Sequence, residues 1–170
     1  MKGARVIVWA LVLMLLTGCG HQAPQRPSQR LGEAPQADSA QLVLMELNRQ
    51  MADAADRQLV ELVQTQPETY ALLEHNTWVH IFDQGDRTQT GDERTIRMRI
   101  YTLDGRLLLD SEGSYQLGKY ELPQGVEANI SELLHGAKAR MFVPWYAAYG
   151  VSGTEDIPPY ENIRIDIELR

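Results

Sequence analysis

Cysteine is nearly absent: Cys19 is the only one in the chain, so no disulfide can form within it. Histidine is scarce as well. His21, His75, His80 and His135 are scattered without ligand spacing, and neither a metal nor any other cofactor is expected. Basic charge is in deficit. Of the 16 Lys and Arg, Lys2 and Arg5 fall in the first 18 residues, so removal of those residues leaves 14 basic against 23 acidic side chains. That balance argues against nucleic acid as a partner. The apolar run over 6–16 is too short to cross a bilayer as a helix of the mature chain. No internal repeat is visible. The 170 residues, 44% apolar, suffice for one domain with a sizeable core plus attached segments, not for two full domains.

What is present begins at the N-terminus. Lys2 and Arg5 ahead of the apolar run make a secretory signal pattern, and the run ends in Leu16-Thr17-Gly18-Cys19. That tetrapeptide resembles the lipobox of bacterial lipoproteins, in which the chain is cut before the cysteine and its thiol receives a diacylglyceryl group. The resemblance implies a membrane anchor on lipidated Cys19, each buried CH₂ contributing about 0.8 kcal/mol. The alternative is an incidental cysteine after an ordinary signal. Gly20 is not the aspartate that, by resemblance to sorting rules in diderm bacteria, retains lipoproteins at the inner membrane. The outer membrane is therefore expected, with the folded part facing the periplasm.

The chain divides into a signal peptide (1–18), the lipidated cysteine and a disordered tether (19–37), a helical extension (38–76) and a C-terminal domain (77–170). Pro24, Pro27 and Pro35 interrupt the tether, whose coil spans roughly 20–25 Å. Asp38 or Ser39 can cap a helix running to about Gln64 without Pro or Gly. Along it Leu44, Leu47, Met51, Ala54 or Ala55, Leu59 and Leu62 form one apolar stripe about 40 Å long. That stripe packs either on the protein's own domain or on a second copy, as the seam of a homodimer. Pro67 ends the helix or starts another, and 68–75 reads as one or two further helical turns.

Strands follow. Trp78, His80 and Phe82 alternate with Val79 and Ile81, and Ile96, Met98 and Ile100 alternate with Arg97, Arg99 and Tyr101. The stretch 103–106 is a tight turn signal, with the sheet continuing over 107–109. After Pro123, Val126, Ile130, Leu133 and Leu134 share a helix face, and Gly136 suits the positive φ of a helix end. Ala139, Met141 and Val143, then Ile163, Ile165, Ile167 and Leu169, are the inward positions of two further strands. A short helix laid across such an antiparallel sheet is an α+β architecture.

The motif Pro-x-Gly-Val-Glu at 123–127, followed by Gly136, Pro144, Ala148-Tyr149-Gly150, Gly153 and Ile157-Pro158-Pro159, resembles the FKBP family of peptidyl-prolyl cis-trans isomerases. The order of lipobox, tether, long helix and domain is similar to FKBP-like lipoproteins of the gliding-motility-associated type. Carried over by position, the resemblance implies catalytic roles for Asp110 and for Tyr149, whose hydroxyl would bond a substrate carbonyl. It implies a substrate-binding wall of Met98, Leu109, Tyr115, Leu122, Pro123, Val126, Ile157 and Ile165. Four of these depart from the family: Met98, Leu109, Val126 and Ile165 stand where aromatics line the cavity. Pro123 falls where the family offers a backbone N–H to a carbonyl, and proline has none. Trp145 and Tyr146 serve either as an aromatic platform at the cavity mouth or as packing within a loop.

Prolyl isomerisation needs no proton transfer and no covalent step. The barrier of about 18–20 kcal/mol comes from amide resonance, and a cavity that grips the ring, desolvates the amide and holds a carbonyl lowers it. The expectation is a periplasm-facing lipoprotein isomerase acting on proline-containing segments of exported proteins. Because of the four lost aromatics, a non-catalytic binding or scaffold lipoprotein of an envelope or gliding machine stays open as the alternative.

Overall fold

The computed structural model describes residues 39–86, 91–131 and 133–170; the signal peptide, Cys19 and the tether lie outside them. Six strands form one antiparallel sheet: β1 (Ala71–Leu72), β2 (Trp78–Asp83), β3 (Glu93–Thr102), β4 (Leu107–Gln116), β5 (Lys138–Val143) and β6 (Ile163–Leu169). Their order across the sheet is β1-β2-β5-β6-β3-β4. A long helix, α1 (Ser39–Gln64), precedes them, and a short one, α2 (Gln124–Ile130), lies between β4 and β5. This is the expected α+β architecture.

Alternation builds the two faces of the sheet. Ile96, Met98 and Ile100 of β3, Ala139, Met141 and Val143 of β5, and Ile163, Ile165, Ile167 and Leu169 of β6 are buried together under Val126 and Ile130 of α2. The opposite face is a lattice of charge. Arg140 donates to both carboxylate oxygens of Asp166 at 2.7 and 3.2 Å, and Lys138 stands opposite Glu168 in the adjoining row. Cross-strand pairs of this kind let one face of the sheet meet water.

One corner of that outer face is apolar. Phe142 is buried there with Tyr70 and with Leu59 of α1, while Trp78, Leu62, Val63 and Leu103 pack around them. Full burial of Leu59 alone contributes about 1.5–3 kcal/mol. The C-terminal half of α1 therefore packs on the protein's own sheet. Its N-terminal half does not, and Leu44 and Leu47 are 59% and 50% exposed.

Four local readings of the sequence are corrected. The segment 68–75 is not helical: Ala71 and Leu72 pair with β2, and the 3₁₀ turn Glu74–Asn76 ends with His75 and Asn76 at positive φ, which no continuing helix tolerates. The helix after Pro123 stops at Ile130, so Leu133 is buried from a loop. Gly136 does have φ +86°, yet its N–H bonds Leu169 at the end of β6, so the glycine serves the entry to β5 and not a helix cap. Finally, β4 runs ten residues instead of three, because every position from Asp110 to Gln116 finds a partner on β3 despite residues of low strand propensity.

Candidate functional site

The segment after β5 is shaped by local rules. Pro144 ends the strand and opens the 3₁₀ turn Trp145–Ala147. Gly153 has φ +61°, and a Cβ there would lie 2.3 Å from the Ile157 carbonyl oxygen, so only glycine lets the chain fold back. The doubled-back loop is closed by Thr154 N–H to the Ile157 carbonyl (2.8 Å) and Ile157 N–H to the Thr154 hydroxyl (3.1 Å). Ile157 is thereby driven into the core. Tyr149 comes to rest half-buried against the same core, where burial, with a smaller contribution from Tyr115, pushes its hydroxyl up to about 12. The phenol is neutral at any physiological pH. It makes no hydrogen bond among the described residues.

The inward face of β4 supplies another wall. Register places Ser111 opposite Met98 and Leu109 opposite Ile100, so Leu109, Ser111, Gly113 and Tyr115 face the core. The Tyr115 ring lies over Gly113, where a Cβ would stand 3.4 Å from its hydroxyl. The Ser111 hydroxyl is buried and has no hydrogen-bond partner among the described residues. Sequence reasoning missed Ser111; the signal was available in the odd-numbered alternation of β4, had the strand been read at its full length.

The start of α2 closes the site from below. Leu122, Pro123 and Val126 are buried, and the Pro123 carbonyl accepts the N–H groups of Val126 and Glu127, each at 2.9 Å. Proline at this cap position costs the helix nothing, since the first N–H groups of a helix have no partner within it. Met98, Val126, Ile157 and Ile165 are at most 3% exposed and make a floor. Leu109, Tyr115 and Tyr149 are half-buried and form its accessible rim.

Asp110 is not in this group. It pairs with Arg99 in the ladder while Ser111 pairs with Met98, so the alternation of β4 turns Asp110 to the outer, charged face. There it is 3.3 Å from the Arg97 guanidinium, with its side chain 39% exposed. The catalytic role assigned to it by position is withdrawn on that geometry. Trp145 is buried against the rings of Tyr146 and Tyr160, with centroids 5.6 and 5.0 Å away, so it packs the loop and offers no open platform. Cys19 lies outside the described residues.

The model of the FKBP-type peptidyl-prolyl cis-trans isomerases matches residues 85–170, half of the chain. The chain belongs to the FKBP family. It is accordingly a peptidyl-prolyl cis-trans isomerase. Solved structures agree on the fold. A peptidyl-prolyl cis-trans isomerase from Pseudomonas syringae pv. tomato is 21% identical with a TM-score of 0.58, covering 71% of this chain and 92% of that one. The N-terminal domain of FKBP42 from Arabidopsis thaliana is 18% identical with a TM-score of 0.54, covering 62% and 92%. AtFKBP13 is 17% identical with a TM-score of 0.53, covering 60% and 97%. No curated protein matches the sequence. For an FKBP the floor described above is aliphatic throughout; Tyr149 and Tyr115 pack half-buried against the same core, and the Ser111 hydroxyl is buried beside them on the inward face of β4.

Proposed function

We propose that this isomerase acts on proline-containing segments of exported proteins, held at the outer membrane by lipid on Cys19 and facing the periplasm. The Leu16-Thr17-Gly18-Cys19 sequence after a secretory signal, with Gly20 next, supports the location. The observation that carries the chemistry is Tyr149: a neutral phenol, half-buried on an aliphatic floor, with its hydrogen-bonding capacity unused. A prolyl amide seated there leaves water behind, which weakens the polar resonance form that resists rotation. Its carbonyl accepts from Tyr149 while the bond twists. A 10⁵-fold acceleration requires about 7 kcal/mol. Because the floor has almost no accessible surface, the ring enters by parting the rim side chains from it.

The uncovered half of α1 is the surface we assign to a second copy of the chain. Leu42, Val43, Leu44, Met45 and Leu47 are all at least half exposed within six residues, beyond the scattered apolar side chains of an ordinary surface. Arg49 pairs with Glu46 and Asp53 at 2.7 and 2.8 Å, so little charge opposes the approach of an identical helix.

Two measurements test the main reading. The full chain in mild detergent is assayed on proline peptides with several preceding residues, and acceleration above buffer is expected; none for any peptide ends the isomerase reading. Mass spectrometry of the Cys19 peptide from membranes is expected to show a diacylglyceryl-modified, N-terminal cysteine. An unmodified thiol within a longer chain ends the lipoprotein reading.

A further inference from the structure

The helical extension touches the catalytic loop through two polar bridges. Tyr146, three residues before Tyr149, donates its phenol to Asp56 of α1 at 2.5 Å. Asn76 completes a triangle, its amide donating to the other Asp56 oxygen at 3.1 Å and to the Tyr146 oxygen at 2.9 Å. At the far end of the loop Asn162 is buried, donates to Gln58 of α1 at 2.7 Å, and accepts the Trp145 N–H at 2.9 Å. One stretch of α1 thus holds both ends of the segment 145–162.

Between those ends the segment is tied to itself. Gly150 N–H bonds the Trp145 carbonyl at 2.8 Å, Tyr160 N–H bonds Gly150 at 3.0 Å, and Gly153 N–H bonds Tyr149 at 3.2 Å. The rings of Trp145 and Tyr160 meet edge to face. A loop so connected transmits a shift of its anchors to Tyr149. Placement matters for this residue, since a hydrogen bond weakens steeply once its donor is moved off distance or angle.

We propose that Asp56 is a positioning residue of the isomerase site, acting through Tyr146 to set where the loop holds the Tyr149 hydroxyl. The inference rests on the isomerase reading. It makes α1 part of the active-site scaffold and not a spacer between tether and domain. Anything that binds the free half of α1 and shifts its seat then also shifts the catalytic loop.

The test uses the full chain in mild detergent with Tyr146→Phe, Asp56→Ala and Asp56→Asn. Isomerase kinetics and hydrogen exchange over 148–157 are measured below the melting transition. Tyr146→Phe keeps the ring against Trp145 and removes only the hydroxyl, so it remains decisive where Asp56→Ala fails to fold. Expected is a fall in kcat of about threefold to tenfold, no larger than that on removing the Tyr149 hydroxyl itself, with KM within about twofold, the pattern of a group placed for the transition state. The amides of 148–157 are expected to exchange faster while those of β3 and β6 do not change. Asp56→Asn, which keeps an acceptor oxygen for Tyr146, is expected to retain most of the rate. An active wild type whose Tyr146→Phe variant keeps its kcat and its loop exchange overturns the proposal and leaves the isomerase reading standing. A wild type inactive on every peptide overturns that reading, and this proposal with it.

Discussion

Gly125 and Thr77 are in such close contact that a Cβ on the glycine would stand 2.6 Å from the threonine hydroxyl and 2.7 Å from Val143. Both residues are buried, and the contact seats the first turn of α2, which carries Val126, against the core face. Gly125→Ala is therefore expected to destabilise the fold by about 1–3 kcal/mol through overpacking, despite the better helix propensity of alanine. Urea unfolding of the two chains measures it. A midpoint equal to or above that of the wild type means that the helix can move outward without loss.

Tyr149→Phe separates catalysis from packing. The hydroxyl has no partner among the described residues, so its removal is expected to change stability by less than about 0.5 kcal/mol. If it holds the substrate carbonyl, kcat/KM falls by about two- to tenfold, the worth of one neutral hydrogen bond. Steady-state kinetics alongside thermal melts read both effects. Unchanged kcat/KM would remove the phenol from the mechanism.

Asp110→Ala is expected to behave in the opposite way. Its partner Arg97 is on the outer face, both side chains are about 40% exposed, and an ion pair of that kind is worth about 0–1 kcal/mol. Isomerase activity within about twofold of wild type is the expected result. A large loss of activity with intact folding would place Asp110 at the site after all.

The contrast between these two residues marks what could be read from sequence. The packing of Tyr149 on the core was legible because it sits in a rigid run of turn residues, Ala148-Tyr149-Gly150 and Gly153, whose spacing admits few conformations. Strand interiors such as Ile96, Met98 and Ile100 were legible because alternation is a local property. Asp110 was not, since which face it takes depends on where β4 starts and how it pairs with β3, and a single step in register moves a side chain through the sheet. Ser111 was hidden by the same shift. The seat of α1 on Phe142 and Tyr70, and its bonds from Asp56 and Gln58, join residues far apart in the chain, and no local pattern encodes them.

A second copy of the chain on α1 has its own test. Leu44→Asp together with Leu47→Asp leaves the docked half of the helix, with Ala55 and Leu59, untouched. Sedimentation equilibrium in density-matched detergent is expected to give twice the 19.2 kDa chain mass, less any removed segment, for wild type and a single mass for the double variant. A wild type that stays monomeric at the highest concentrations reached leaves that surface without its assigned partner.

The pH dependence of stability tests whether the site is as dry as its geometry requires. Burial pushes the Tyr149 phenol up to about 12, and burial with the hydrogen bond to Asp56 does the same for Tyr146, from an ordinary value near 10. Below pH 10 both the folded and the unfolded chain hold these protons, so the two tyrosines leave stability independent of pH. Between pH 10 and 12 the unfolded chain releases them while the folded chain keeps them. The unfolded state then binds fewer protons, and stability falls as pH rises through that window. Urea midpoints from pH 8 to 12 are expected to be level and then to drop, with a shallower drop in Tyr149→Phe and in Tyr146→Phe. Tyr70 is also raised by burial and contributes to the fall in every variant, so the informative quantity is the difference between slopes. A Tyr149→Phe slope equal to that of the wild type would mean that water reaches the phenol, and an amide seated beside it would then keep the hydration that slows its rotation.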